Sequence, residues 1–357
     1  MRIKRLTKRI NQMIKHTVED GRKQRGVPYI TSQPGTGKSS VMAQIAEEKG
    51  MRLIDVRLAQ LAPEDIRGVP FPDKEDKVTY WFSPNFLPHD TNEKTILFLD
   101  ELDKCNPAVQ NAALQLLLDR KVGDYNVPDT CFMVAAGNRV QDNSYSINLS
   151  SALANRLYHL EMDNTVSDWT DWAMNSSIRQ EIVGFIQFRP EILYEKELKE
   201  GMTAYPTPRT WEFLSHLLDT FGSKDEDVID AGQMSVGVGA AREFLAYRNV
   251  YSGINVKGIL SGSEPLQDLT KKSKEASYIY AFICACGFYI KEKGVKIHKD
   301  TPKVVMDIMD MVNIEHRAAF CRIISTRRNV DVDLARYDMK RWTRIVKDIT
   351  DILRDVD

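Results

Sequence analysis

One nine-residue stretch constrains this chain more than any other: Ser32-Gln33-Pro34-Gly35-Thr36-Gly37-Lys38-Ser39-Ser40. It closes an apolar run, Gly26 to Ser32, that reads as a buried strand, and it opens a helix expected over Ser39 to Gly50. The glycines let the backbone curl until successive N–H groups face one point, and the helix N-terminus adds the positive end of a dipole. Such a loop suits phosphate. Lys38 is spaced to reach the β and γ phosphates and Ser39 to give an oxygen to Mg²⁺, so ATP with Mg²⁺ is the expected ligand pair, cradled by Pro34, Gly35, Thr36, Gly37, Lys38, Ser39 and Ser40. Ser32 stands where the usual pattern has Gly.

The rest of the first half keeps the rhythm this loop demands. Arg52 to Leu58 alternates as a strand, Thr95 to Asp100 is a continuous apolar strand, Pro107 to Asp119 reads as a helix, and Thr130 to Ala136 as a strand. Strands separated by helices imply an α/β fold with a parallel sheet covered on both faces. The strand that begins at Thr95 ends in Asp100-Glu101, and open parallel sheets bind ligands at that end. Asp100 is expected in the Mg²⁺ shell beside Ser39, and Glu101 is expected to polarise an attacking water. The same carboxylates at a strand end also suit helix capping, which is the alternative. Pro63 to Pro88, with five prolines and Tyr80-Trp81-Phe82, is longer than a crossover requires and reads as an inserted hairpin. Past Ser167 helical patterns dominate: Asp168 to Met174, Ser177 to Gln187, Arg209 to Phe221 and Val304 to Asp357. A Gly- and charge-rich stretch, Gly222 to Gly239, is expected to interrupt them, and Gly253 to Lys274 to form a loop.

Composition excludes several classes. With 357 residues, 43% hydrophobic and 28% charged, the chain can bury a large core and is not disordered. Five cysteines, none in a C-x-x-C pair, point to a reducing compartment, and Cys284 and Cys286 read as small hydrophobes of a core helix. The uncharged run there, Ala276 to Ile290, is too short to span a bilayer, and the amino terminus has no apolar leader, so a cytoplasmic protein without a membrane span is expected. The net charge of −1 names no polyanionic partner. Met1 to Arg25 alone carries nine Lys or Arg against Glu19 and Asp20. Two readings stand for it: an amphipathic helix with Ile3, Leu6, Ile10 and Met13 inward and its cations solvated, or a phosphate contact.

Taken together, the phosphate loop and the Ile96-Leu97-Phe98-Leu99-Asp100-Glu101 strand resemble those of the AAA+ ATPases, with a resemblance over about residues 26–246. Ala135-Ala136-Gly137-Asn138 resembles the family's first sensor, implying that Asn138 orients the water and the γ-phosphate. Ser151-Ala152-Leu153-Ala154-Asn155-Arg156-Leu157 resembles the arginine-finger segment, with Arg156 the finger. Pro206-Thr207-Pro208-Arg209-Thr210-Trp211 resembles the second sensor, with Arg209 reaching the nucleotide from a helical lid. Pro63 to Pro88 and the short hairpin Arg120 to Pro128 resemble the inserts of the MoxR-like branch.

The resemblance implies a P-loop AAA+ core with a C-terminal all-helical lid and helical extension. The expected division is 1–25 (basic helix), 26–163 (core, insert about 63–88), 164–298 (lid) and 299–357 (extension). It also implies a homo-hexameric ring with ATP sites shared between subunits, remodelling a protein substrate or partner in chaperone-like fashion. A von Willebrand factor A domain protein is the partner class it suggests. The alternatives are a nucleic-acid-associated ATPase, a loader or translocase using the basic amino terminus, and an ATP-dependent assembly scaffold.

Overall fold

Alternation within two strands builds the first core. In β5 (Thr95–Asp100), Ile96 and Phe98 pack on one side of the sheet and Leu97 and Leu99 on the other; in β8 (Cys131–Asn138), Phe132 and Val134 oppose Met133 and Ala135. Strands apolar on both faces need cover on both faces. One face receives the helices Ile3–Ile14 and Lys38–Lys49 through Leu6, Ile10, Met42 and Ile45, and the other receives the helix Pro107–Asp119 through Ala112 and Leu116. The sheet is completed by β1 (Val27–Ser32), β2 (Arg52–Arg57) and β9 (Leu157–Glu161) in the order β2-β5-β8-β1-β9, every pair parallel. Thus β1, β5 and β8 deliver their carboxyl ends side by side.

The computed structural model describes residues 1–139, 149–163, 165–195, 203–222, 224–266, 276–327 and 329–355. By its contacts the chain divides into two units, Met1–Thr165 and Val166–Asp357. Two finer boundaries expected from the sequence, at 25/26 and 298/299, fall inside continuous cores: Leu6 and Ile10 share a cluster with Ile30 and Phe98, and Phe282 and Cys286 share one with Val305 and Ile324. In the amino-terminal helix the fully buried residues are Leu6, Ile10 and Ile14, whereas Ile3 and Met13 are only partly buried. Ile3 is the first residue of the helix, and Met13 falls at the edge of the arc that Leu6, Ile10 and Ile14 share.

Two antiparallel hairpins leave the sheet. The first pairs β3 (Val69–Asp73) with β4 (Val78–Phe82), and the second pairs β6 (Lys121–Val122) with β7 (Tyr125–Asn126). They touch where the Trp81 N–H donates to Asp124 at 3.4 Å and Gly123 lies against the Trp81 side chain; a Cβ there would come within 3.0 Å.

The second unit is helical. Its helix Ala276–Lys293 lies between two clusters, giving Cys284 and Phe288 to one and Phe282, Cys286 and Ile290 to the other. This accounts for its uncharged run, and all five cysteines of the chain are buried and free. Among the described residues no helix is long and apolar enough to cross a membrane. The expected interruption at Gly222 to Gly239 is instead mostly a helix, Asp225–Ser235. Gly232 lowers helix propensity, yet it is the residue that admits Ala241 of the next helix, whose Cβ would lie 2.4 Å from a side chain at 232. The expected loop at Gly253 to Lys274 holds a short helix, Val256–Leu260, and its part from 267 onward lies outside the described residues.

Candidate functional site

At the carboxyl end of β1 the chain turns through Gly35 (φ 73°) and Gly37 (φ 89°), left-handed conformations that glycine adopts without strain, and Lys38 begins the helix Lys38–Lys49. Ser32, fully buried, is the last residue of the strand. Its side chain fits because the position is extended, and its Oγ lies 2.6 Å from Thr36 Oγ1 and accepts from Lys38 Nζ at 3.2 Å. Thr36 in turn donates to the Gln33 carbonyl at 2.7 Å. The hydroxyl therefore ties the loop to the strand where glycine would leave it untied.

Side chains from two neighbouring strands converge on this loop. Lys38 Nζ donates to Asn138 Oδ1 at 3.0 Å, from the last residue of β8, and Ser39 Oγ donates to Asp100 Oδ2 at 3.3 Å, from the last residue of β5. The paired oxygens of Ser39 and Asp100 suit a hard cation completed by phosphate oxygens and water, so the residues present fit Mg²⁺. Glu101 follows with φ 60° and ψ 34°, a left-handed conformation that costs a non-glycine residue about 1–3 kcal/mol. Its amide donates to Asp100 Oδ1 at 2.8 Å, and its carboxylate pairs with Lys104 at 2.8 Å.

Three residues here have no role that the sequence assigns, although Gly137 stands inside the motif that ends at Asn138. Asp103 is 2% exposed, and its carboxylate lies by the backbone amides of Asn138 and of Asp103 itself without a hydrogen bond of ordinary geometry among the described residues. Burial pushes its carboxyl above the ordinary value. A Cβ on Gly137 would stand 2.2 Å from the Tyr29 hydroxyl and 2.6 Å from Asp103 Oδ1. Burial and then the nearby Asp103 raise the Tyr29 phenol, and the ring is held edge-on against His159, with centroids 5.8 Å apart. Gly137, Tyr29 and Asp103 thus fill the space beside Asn138, and only their packing identifies them.

The two remaining expected residues belong to other elements. Arg156 is exposed between the short helix Ser151–Ala154 and β9, a strand that sequence patterning missed because its residues Tyr158, His159 and Glu161 are exposed at the sheet edge. Arg209 is exposed on the first turn of the helix Pro208–Phe221 in the second unit. Neither guanidinium has an ion-pair partner among the described residues.

Comparison with solved structures finds the RuvB Holliday junction branch migration motor of Thermotoga maritima at 17% identity and a TM-score of 0.40, covering 80% of this chain and 88% of that one. Two point mutants of that protein match at 15% and 16% identity with TM-scores of 0.36 and 0.37, each over 80% of this chain and 89% and 88% of theirs. No curated protein sequence matches the chain. Residues 28–159 match the family described as "ATPase family associated with various cellular activities (AAA)", so the first unit, with its phosphate loop and converging strand ends, contains an AAA-family domain.

Proposed function

We propose that the chain hydrolyses ATP and couples the reaction to conformational work on a protein partner. One observation carries the reading: Lys38 and Ser39 of the phosphate loop reach Asn138 and Asp100 on two different strand ends, at 3.0 and 3.3 Å. Phosphoryl transfer needs charge neutralised and a nucleophile aligned, and these groups supply both. Gly35 to Ser40 present backbone N–H groups to the phosphates behind the turn at Pro34, Lys38 adds a cation, and Ser39 with Asp100 would hold Mg²⁺, which neutralises phosphate charge when bound. Glu101 accepts a proton from the attacking water once its carboxylate turns from Lys104, and Asn138 orients that water. Arg156, exposed, projects to a neighbouring subunit's site, and a nucleotide role for Arg209 rests on the resemblance alone.

The finer reading, a MoxR-like remodeller working as a hexamer, is supported by the hairpin Val69–Phe82. Phe71, Tyr80, Trp81 and Phe82 are exposed on it, and such a patch suits a protein partner. The von Willebrand factor A partner rests on the resemblance alone.

The test separates binding from chemistry. Lys38→Ala is expected to weaken ATP binding roughly 100-fold, because a charged hydrogen-bond donor to ground-state phosphate is lost. Glu101→Gln is expected to bind ATP normally and to lose about 10² to 10⁴ in turnover. Equal loss of affinity in both variants, by calorimetric titration, would remove this division of roles.

A further inference from the structure

A second concave surface lies at the other end of the sheet. Gly26 precedes β1, Phe132 is the second residue of β8 and Tyr158 the second of β9; together with His16, Arg22, Lys23 and Arg25 they line a cleft of about 590 Å³. Phe132 and Asn138 are six residues apart along β8, so the cleft is about 20 Å from the phosphate loop.

The cations of this cleft are held in place. Gln24, between Lys23 and Arg25, is buried: its Nε2 donates to the Met133 carbonyl at 2.8 Å, and its Oε1 accepts from the Met133 N–H at 2.9 Å and from Arg120 at 3.0 Å. This pins the segment to β8 and leaves Arg22, Lys23 and Arg25 exposed around it. The helix Ile3–Ile14 and the turn that continues it extend the charge. Lys8 and Lys15 lie seven residues apart on one stripe and Arg5, Arg9 and His16 on the adjoining one, all exposed, and the stripes run into the cleft at His16. None of Arg5, Lys8, Lys15, Arg22, Lys23 and Arg25 forms an ion pair among the described residues, while Glu19 is engaged by Lys49 at 3.0 Å. The cleft wall is aromatic. The Tyr158 ring lies on Gly26 so closely that a Cβ there would be 2.5 Å from it, and the side chain is still 49% exposed.

We propose that this face binds a single strand of nucleic acid, its phosphates along the cationic stripes and one base on the outer face of Tyr158. Unpaired cations in rows match a regular polyanion, and an exposed ring beside them matches a base, the combination that single-strand sites use. An anionic membrane fits less well, because a helix on lipid must insert its apolar face, and Leu6, Ile10 and Ile14 are wholly buried in the protein. From Arg5 to His16 the stripes run about 16 Å, the reach of two or three successive phosphates of an extended single strand, and Arg22, Lys23 and Arg25 continue the track.

The experiment is fluorescence anisotropy of a labelled single-stranded oligonucleotide of about 20 residues with the full chain, between about 50 and 200 mM salt. Expected is binding whose log affinity falls with log salt at a slope of about −3 or steeper. The triple variant Arg22→Ala, Lys23→Ala, Arg25→Ala should lose at least about tenfold in affinity and flatten the slope by roughly 2. Tyr158→Leu should lose about tenfold with the slope unchanged, since stacking carries no charge. Lys38→Ala should bind the oligonucleotide like the unaltered chain, so a failure of the ATPase reading leaves this result readable. Melting temperatures equal to that of the unaltered chain establish that the variants are folded. No binding at low salt, or an unchanged triple variant in a folded protein, overturns the proposal. Equal displacement by polyglutamate together with indifference to Tyr158→Leu also overturns it and assigns the face to an acidic protein.

Discussion

Asn138 is positioned from two sides, by the phosphate-loop lysine and by residues outside the phosphate loop. Lys38 holds its side-chain oxygen, and Gly137, directly before it, is crowded by the Tyr29 hydroxyl and the Asp103 carboxylate. Both neighbours are buried, so neither can swing into solvent to make room. Gly137→Ala is therefore expected to destabilise the chain by about 1–3 kcal/mol, the usual cost of overfilling a packed interior, and to lower turnover by displacing Asn138. Thermal melting with a parallel ATPase assay checks this; an unchanged melting temperature would mean that the Tyr29 ring yields freely. The motif residues Lys38, Ser39, Asp100, Glu101 and Asn138 were legible because chemistry restricts their type and order along the chain. Asp103 and Gly137 were not, because their importance is a distance between β1, β8 and the turn after β5. Glu101 was legible as an acid but not as a left-handed residue, since local sequence does not announce that strain.

At the scale of elements, the hairpin Val69–Phe82 departs most from ordinary burial. Its cross-strand pairs Val69 with Phe82 and Phe71 with Tyr80 are exposed, and Phe71 and Phe82 rings pack with centroids 5.5 Å apart. It hangs from the sheet by its ends, where Gly68 (φ 84°) lies so close to the Phe82 carbonyl that a Cβ would be 2.1 Å away. Removing residues 69–84 should therefore leave ATP binding within about twofold, because no group of the phosphate site lies on the hairpin, while partner capture is lost. The measurement is ATP titration beside a pull-down with Glu101→Gln as the trap. A deletion variant that still captures every partner makes the hairpin structural. The elements that sequence identified best, Thr95–Asp100 and Pro107–Asp119, are those whose burial dictates their pattern. Edge strand β9 and the helix Asp225–Ser235 escaped, the first because half-exposed edges need no apolar run, the second because Gly232 serves a neighbouring helix.

For the whole molecule the open matter is assembly, and Arg156 decides it. An exposed guanidinium without an ion-pair partner among the described residues fits a role supplied to another subunit, where a finger in trans is worth roughly 10³ to 10⁵ in rate. Arg156→Ala is expected to bind ATP nearly normally and hydrolyse it poorly, and mixing it with the inactive Lys38→Ala chain should restore activity. Such a mixture pairs an intact phosphate loop with an intact finger at some interfaces. Sedimentation with ATP should show a species several times the 40.8 kDa chain. A monomer that hydrolyses ATP at full rate would remove the shared site. The sequence by itself determined the α/β class, the phosphate loop, the acidic strand end and the helical second half, because each depends on residue type at short spacing. Tertiary structure alone decided that Asp103 is buried against Gly137, that β9 closes the sheet edge and that Tyr158 stands over Gly26 in a cationic cleft. Each of these is a contact between residues far apart in the chain, and burial and close approach are properties of the packed molecule rather than of any local run.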